Sequence, residues 1–336
     1  MTTPFSTADE QDTAGDRPEV DHPKADHTKA DRHDVAVIGA GPAGLSAAMV
    51  LGRQQRRVAL VDSGRARNAP AREMHMVLSR DGFPPSEYRA LATAELDAYD
   101  HIDKISGTVT TITGSVGEFV LRLDDDREIQ ASRILLATGM TDHLIDLPGL
   151  AERWGRGVYH CAYCHGFESR GRTIGVVALR AADAVFARYL ADRFSDDVAL
   201  YRLDGVEIDA KMLTLAQAGG VRIVDGHVTG IEGEEPTLRL LMADGTTHER
   251  EVIFHRPDAR QSSALGADLG CDIDPDWDSI LVDAQHRTGV DGVYAAGDAT
   301  QLRDLPNPVG FVATSAGQGQ TAAIWIETEL FTQNLG

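Results

Sequence analysis

The succession of apolar and polar segments predicts a strand–turn–helix–strand unit near the start of the chain. A short β-rich run at 34–38 leads into a glycine-rich turn and then into an apolar segment of helical composition at 45–52. A second β-rich run at 58–61 ends at Asp62, a carboxylate ~20 residues after the first glycine of the turn. This order is typical of one half of a dinucleotide-binding fold.

The glycine-rich turn predicts a loop that holds the pyrophosphate of a dinucleotide. Gly39 permits the tight turn, Gly41 lets backbone N–H groups approach the pyrophosphate, and Gly44 lets the helix pack closely on the strand. A membrane span is the alternative for the apolar run at 36–52, but its glycine spacing and the charges that flank it argue against a span. The predicted cofactor-binding residues of this unit are Gly39, Gly41, Pro42, Ala43, Gly44 and Asp62.

A second unit of the same pattern lies between residues 172 and 201, but its turn lacks glycine. Two β-rich runs, 172–177 and 198–201, enclose a helical stretch at 181–194. In the turn between them, the side chains of Leu179 and Arg180 would fill the space through which a pyrophosphate reaches backbone amides. The sequence therefore predicts a nucleotide-binding fold that does not hold NADPH, with an unusual but working site as the alternative.

A Cys-x-x-Cys pair, Cys161 and Cys164, precedes this second unit and predicts a redox-active disulfide at the start of a helix. A zinc site is the alternative, but no second Cys-x-x-Cys and no His-x3-His is present, so no metal site is predicted. Thiol chemistry near neutral pH needs a base, and imidazole suits that task. His165 is the first candidate and His160 the second, with a structural, hydrogen-bonded role as the alternative for His160.

Composition indicates a cellular location and argues against two classes of binding partner. The formal net charge of −20 argues against nucleic acid or an anionic membrane as a partner. Three cysteines are too few for a disulfide framework and predict a reducing, cytoplasmic location, with Cys271 as a buried or neutral thiol. Residues 1–33 have no signal-peptide pattern and predict a disordered acidic extension, in which His22, His27 and His33 lack the ordered scaffold of a metal site.

Four motifs together resemble the low-molecular-weight thioredoxin reductases in order and spacing: residues 39–44, Ala137-Thr138-Gly139, residues 161–166 and residues 292–298. The resemblance implies an α/β fold with two Rossmann-like, three-layer nucleotide-binding domains. An FAD-binding domain would consist of 34–141 and 259–336. A degenerate NADPH-type domain that carries the Cys-x-x-Cys would be inserted at 142–258.

The resemblance also implies roles for individual residues. Asp298 would hydrogen-bond FAD, and residues 316–319 would open a final helix whose N-terminus faces the flavin. Cys161 would be the outer thiol that reacts with substrate, and Cys164 would lie against the flavin. The additional residues implied for FAD binding are Thr138, Gly139, Gly297, Asp298 and Ala316.

Within this family the chain resembles most the flavin-dependent dithiol oxidases that close disulfides in gliotoxin, holomycin and related natural products, because His165 follows the second cysteine where ordinary reductases have Asp. The predicted function is FAD-dependent oxidation of a small-molecule dithiol, with oxygen as acceptor, hydrogen peroxide as product and a homodimer as the assembly. Two alternatives stay open: a pyridine-nucleotide-dependent disulfide reductase, and a non-enzymatic redox sensor that docks on a protein partner.

Overall fold

The computed structural model describes residues 32–333 and residue 335. The predicted extension at 1–33 lies outside the described residues except for its last two positions, and His22 and His27 lie outside them as well. Within the described residues the predicted α/β class is confirmed, since strands and helices follow one another along the chain and the strands form two seven-stranded sheets.

The first sheet combines strands from both ends of the described chain. Its strands are β1 (Arg32–Ile38), β2 (Val58–Asp62), β3 (Ile102–Ser106), β4 (Val109–Thr113), β5 (Phe119–Leu123), β6 (Glu128–Leu136) and β17 (Val293–Ala295). They lie in the order β3-β2-β1-β6-β5-β4, with β17 added beside β6. β1, β2, β3, β6 and β17 are parallel, whereas β4, β5 and β6 form an antiparallel meander.

Two helices follow strands of this sheet. The predicted helix at 45–52 is α1 (Pro42–Arg53), which begins earlier because Pro42 at the first helical position has its φ already set for a helix. α2 (Pro85–Glu95) and a short 3₁₀ turn at 96–98 lead into β3. The predicted strands at 34–38 and 58–61 are β1 and β2, with β1 two residues longer at its start.

The second sheet is built entirely from the middle of the chain, in the order β13-β12-β11-β10-β9-β14-β8. The predicted unit at 172–201 is confirmed as β9, α5 and β10, each within two residues of its expected bounds. The elements are β8 (Val158–Tyr159), α4 (Ala162–His165), β9 (Ile174–Ala178), α5 (Ala182–Arg193), β10 (Val198–Arg202), α6 (Ala210–Ala218), β11 (Arg222–Glu234), β12 (Thr237–Met242), β13 (Thr247–Arg250) and β14 (Val252–His255).

Two short strands lie side by side where the chain passes between these sheets. β7 (Met140–His143) follows the first sheet, β15 (Asp258–Gln261) follows the second, and the two pair antiparallel. The division into domains at 141/142 and 258/259 stays a prediction, and both boundaries fall at this strand pair. The remaining elements are α3 (Leu150–Arg153), α7 (Leu265–Asp268), and the parallel pair β16 (Ile280–Val282) and β18 (Thr300–Leu302).

The last helix, α8 (Val312–Gln333), packs against α1. A Cβ atom at Gly319 would lie 2.0 Å from the carbonyl oxygen of Ala43, so this close approach requires glycine. The prediction that 316–319 opens the helix is wrong. The helix begins four residues earlier, because the hydroxyl of Thr314 accepts a hydrogen bond from the Phe311 N–H (2.9 Å) and caps it there. None of the helices in the described part of the chain is both long and apolar enough to cross a bilayer.

Candidate active site

The glycine-rich turn between β1 and α1 forms an open cradle. A Cβ atom at Gly44 would lie 1.8 Å from the carbonyl oxygen of Gly39, and one at Gly39 would lie 2.3 Å from that of Ala137. Both positions therefore require glycine for packing, and Gly39 also has a φ of 106°. At Gly41, by contrast, a Cβ atom would meet nothing within 4 Å. The backbone is thus exposed at the one position where the motif places a pyrophosphate.

Asp62 lies at the edge of this turn. Its carboxylate accepts hydrogen bonds from the backbone N–H groups of Ala40 (2.9 Å) and Gly64 (3.1 Å). These bonds hold the carboxylate beside the cradle, where each oxygen keeps a further lone pair for a ligand. The ribose-binding role of Asp62 stays a prediction.

The implied FAD residues from the rest of the chain gather at the same edge of the first sheet. Thr138 and Gly139 directly follow β6, and a Cβ atom at Gly139 would meet nothing within 4 Å. Gly297 follows β17 and donates its N–H to the side-chain oxygen of Gln318 in α8 (2.9 Å). Ser315 donates to the Asp298 carboxylate (3.1 Å), and Ala316 lies in the second turn of α8. The carboxyl ends of parallel strands are where such folds bind ligands.

The sequence analysis missed a partly buried ion-pair group at this edge. The Arg67 guanidinium lies 2.6 Å from an oxygen of Asp142 and 3.2 Å from an oxygen of Asp298. Burial by itself lowers the pKa of Arg67, but hydrogen bonds and charge from Asp142 and then Asp298 raise it above its usual value. The guanidinium therefore stays charged. No local sequence signal could have found this group, since its members are separated by 75 and 231 residues.

Cys161 and Cys164 are joined in a disulfide, with their Cα atoms 5.2 Å apart. Cys161 is the N-cap of α4, and the Cys164 N–H donates to its sulfur (3.0 Å). The helix predicted after Cys161 is present, but it has only four residues, so its dipole is short. The Cys164 N–H is also in position to donate to a thiolate at Cys161 once the disulfide is reduced. Tyr163, between the cysteines, is 66% exposed, so the disulfide lies near the protein surface.

His165 lies against two aromatic rings. Its imidazole stacks on Tyr159, with ring centroids 4.0 Å apart, and meets the His75 ring edge-on at 6.0 Å. Burial, with smaller contributions from His75 and His160, lowers the pKa of His165 to about 4. The imidazole is therefore neutral at pH 7 and able to accept a proton.

His160 faces a different part of the site. Its ring stacks on Trp154, with centroids 5.6 Å apart. Burial lowers the pKa of His160, while the negative charge of Asp142 raises it and the positive charge of Arg67 lowers it. The two histidines are thus brought to the disulfide but face different neighbours, and their catalytic roles stay predictions.

The turn of the second nucleotide-binding unit is filled by the chain itself. One carboxylate oxygen of Asp183 accepts hydrogen bonds from the N–H groups of Leu179 (2.8 Å) and Arg180 (3.0 Å), and Asp183 is buried. The Arg180 guanidinium binds the carbonyl of Arg256 (2.9 Å) and the carboxylate of Asp258 (3.0 Å). The amides that would face a pyrophosphate therefore already have an anionic acceptor. Sequence analysis found the missing glycines but not Asp183.

The low pKa of His165 predicts a pH-dependent stability. Between pH 4 and 6.5 the unfolded chain binds a proton at His165 that the folded protein does not, so stability increases with pH over this window and is lost toward pH 4. The difference is on the order of 3 kcal/mol. Burial also lowers the pKa values of His160, His255 and His286, so we expect only part of the wild-type dependence to vanish in His165→Gln. Urea unfolding at several pH values measures the free energy of unfolding of wild type and of His165→Gln. The same pH dependence of this free energy in both proteins would contradict the prediction.

A family model and several known proteins are similar to this chain in sequence or in fold. The family model described as pyridine nucleotide-disulphide oxidoreductase matches residues 33–321. The chain is 33% identical over 298 residues to thioredoxin reductase tcpT of Claviceps purpurea (strain 20.1), which covers 85% of this chain and 92% of the relative. It is 33% identical over 304 residues to thioredoxin reductase sirT of Leptosphaeria maculans, and the match covers 85% of this chain and 92% of that relative. The crystal structure of HlmI superimposes with a TM-score of 0.82 at 35% identity, covering 90% of this chain and 94% of HlmI.

Proposed function

Since the chain belongs to the pyridine nucleotide-disulphide oxidoreductase family, we propose that it is an FAD-dependent thiol oxidase that forms a disulfide in a small-molecule dithiol, with oxygen as the acceptor. The observation that carries the proposal is the buried Asp183 carboxylate on the amides of the second turn, where a nicotinamide dinucleotide would place its pyrophosphate. The first turn is open at Gly41, and the Cys161–Cys164 disulfide is formed. Electrons then enter through sulfur and not through a nicotinamide.

Members of this family are FAD-binding flavoproteins, so the predicted cofactor and the predicted resemblance to thioredoxin-reductase-like flavoproteins are confirmed. The residues present fit FAD, because the backbone at Gly41 and Gly139 has free space where a Cβ would stand. We propose that these glycines hold the pyrophosphate side of FAD, with Asp62 at a ribose and Asp298 near the ribityl chain. Bound FAD would supply the two-electron acceptor that returns the reduced cysteines to the disulfide and passes the electrons to oxygen, giving hydrogen peroxide.

The chemistry of the chain's own residues is thiol–disulfide exchange. A substrate thiolate attacks the Cys161 sulfur, the Cys161–Cys164 bond breaks, and Cys164 leaves as a thiolate. The second substrate thiol then attacks the substrate sulfur in the mixed disulfide, which forms the product disulfide and releases Cys161. His165, neutral at pH 7, accepts the proton of the attacking thiol. The Cys164 N–H stabilises the thiolate of Cys161 when that residue leaves.

An anaerobic titration of the purified holoprotein tests the direction of electron entry. We expect dithiothreitol to bleach the visible absorbance of the flavin within seconds, and NADPH or NADH to leave it unchanged over the same time. The electron balance then requires one oxidised dithiothreitol and one hydrogen peroxide per turnover when air is admitted. Rapid bleaching by NADPH with no response to dithiothreitol would reject the oxidase.

A reductase that uses a pyridine nucleotide is the second candidate, because the second nucleotide-binding unit keeps its complete β9–α5–β10 core and the relatives above are named thioredoxin reductases. The same titration decides between the two. Repeated turnover with peroxide release separates either enzyme from a redox sensor, which would respond to a dithiol once.

We propose a homodimer in a reducing, cytoplasmic environment. Three large apolar side chains of α8 are exposed, Ile324 (54%), Trp325 (37%) and Phe331 (55%), and a second copy of the chain would remove them from water. The location is supported by the cysteine content alone, since two of the three cysteines form the redox pair.

A further inference from the structure

We propose that His75 is a positioning residue that takes the proton from His165 during thiol–disulfide exchange and passes it to the carboxylates of Asp81 and Glu168. This inference rests on the proposed function and adds a proton path to it. The path leads from the buried imidazole beside the redox pair to the protein surface, and nothing in the sequence motif indicates it.

His75 lies between His165 and a group of carboxylates, and because no hydrogen bond joins the two imidazoles directly, the proton crosses between them through one water. Its ring meets the His165 ring edge-on, with centroids 6.0 Å apart, and only 11% of its side chain is exposed. Nδ1 lies 3.5 Å from Asp81, and Nε2 lies 3.7 Å from both Glu73 and Glu168. Neither ring nitrogen has a hydrogen-bond partner among the described residues. Buried nitrogens left unpaired in this way are rare unless they serve a function or bind a water.

The carboxylates around His75 connect it to solvent. The side chains of Asp81, Glu73 and Glu168 are 69%, 58% and 36% exposed. Glu73 and Asp81 lie in the same loop as His75, and Glu168 follows α4, so the loop and the redox segment both contribute acceptors. Asp81 also accepts the Met76 N–H (2.7 Å), which fixes the loop beside His75. A proton on His75 is thus surrounded by negative charge, one step from water.

His165 needs such an exit. Its stacking partner Tyr159 donates its hydroxyl to Glu235 (3.0 Å), and burial raises the pKa of Tyr159 to about 12, so the ring that His165 faces stays neutral. Within residues 32–333 no carboxylate forms an ion pair with His165, and its own pKa is about 4. A proton taken from a thiol therefore cannot remain on His165 and must move on before the next exchange.

The relay is consistent with the balance of the exchange. One S–S bond breaks in the protein and one forms in the substrate, while two protons leave the substrate thiols and two cysteine sulfurs become thiols or thiolates. No oxidant enters this step. His160 is not an equivalent exit, because its ring stacks on Trp154 and, in the described part of the chain, forms no ion pair with an exposed carboxylate.

The test compares His75→Ala with wild type in anaerobic reaction with dithiothreitol, across pH 6 to 9.5. We expect the rate at pH 7 to fall by about 10- to 100-fold, the lower part of the range for general acid–base catalysis. Above the pKa of a free thiol, about 8.5, preformed thiolate needs no base, so the two rates converge. Added imidazole should restore the rate in proportion to its concentration. Acid quenching and alkylation, followed by mass spectrometry, count free thiols at Cys161 and Cys164 independently of the flavin.

His101→Ala is the matched control, since His101 is also half-buried but binds the carbonyl of Gly52 (2.7 Å), away from the redox pair. It should react as wild type does. Glu168→Gln, a partly exposed position, tests the path if His75→Ala fails to fold, and should show a smaller loss with the same pH dependence.

Two results would overturn the relay alone: a His75→Ala rate equal to wild type at pH 6–7, or a loss that is uniform in pH and indifferent to imidazole, as a structural defect gives. A wild-type protein that does not react with dithiothreitol would instead overturn the proposed function, and the relay with it. Retained FAD absorbance and an unchanged melting temperature establish that the variant is folded.

Discussion

Cys164→Ser is expected to lower turnover of dithiothreitol by at least about 10³-fold while FAD remains bound. Serine cannot form the disulfide with Cys161, and its hydroxyl is not ionised near neutral pH, so no electron pair can pass from a substrate dithiol into the protein. The backbone contact from residue 164 to the Cys161 sulfur does not involve the Cys164 side chain, so the local fold should persist. Peroxide release under air and the visible spectrum of the purified variant measure the two parts of this prediction.

Cys271→Ala is the matched control for Cys164→Ser. Cys271 is buried in the first-sheet core, and burial raises the pKa of its thiol, so it stays protonated and unreactive. Its loss should cost some stability and leave turnover intact. Cys161→Ser should be as inactive as Cys164→Ser. Turnover unchanged in Cys164→Ser would refute the redox role of the pair, whatever the control shows.

Gly44→Ala is expected to have the second largest effect, loss of both FAD and stability. Its new Cβ would lie 1.8 Å from the backbone oxygen of Gly39, and backbone on both sides cannot move without separating α1 from β1. We expect a destabilisation of about 3 kcal/mol or more, at the upper end of the range for overpacking. Thermal unfolding and the FAD retained through gel filtration measure the two effects.

Gly41→Ala makes the complementary test of the cradle. A Cβ atom at Gly41 meets no protein atom within 4 Å, and its φ of −75° suits alanine, so the fold should be unaffected. FAD binding should nevertheless weaken by about tenfold or more, because the methyl group would enter the space through which a pyrophosphate reaches the amides. Gly289→Ala, whose Cβ atom would make only ordinary contacts at 3.4 Å or more, should change neither property. Normal FAD affinity in Gly41→Ala would place the pyrophosphate elsewhere.

Local pattern was sufficient to predict regular elements of the fold. The strands β1, β2, β9 and β10 and the helix α5 lie within two residues of their predicted bounds, because each is an uninterrupted apolar or amphipathic run between turn residues. The family resemblance places the start of α8 at 316–319, four residues later than its first residue, Val312. Gly319 instead lies inside the helix, where it permits contact with Ala43. A packing glycine and a turn glycine are indistinguishable in a single sequence.

The sequence by itself determined the glycine turn, the redox pair with His165 beside it, and the absence of glycine from the second turn, because each depends on neighbours within a few residues. Only the tertiary structure decided which charges meet. Arg67 contacts Asp142 and Asp298, which lie 75 and 231 residues away in the sequence. His75 lies in a separate loop and contacts His165 and Glu168. Electrostatic contacts of this kind depend on distance in space, which chain packing sets and sequence spacing does not.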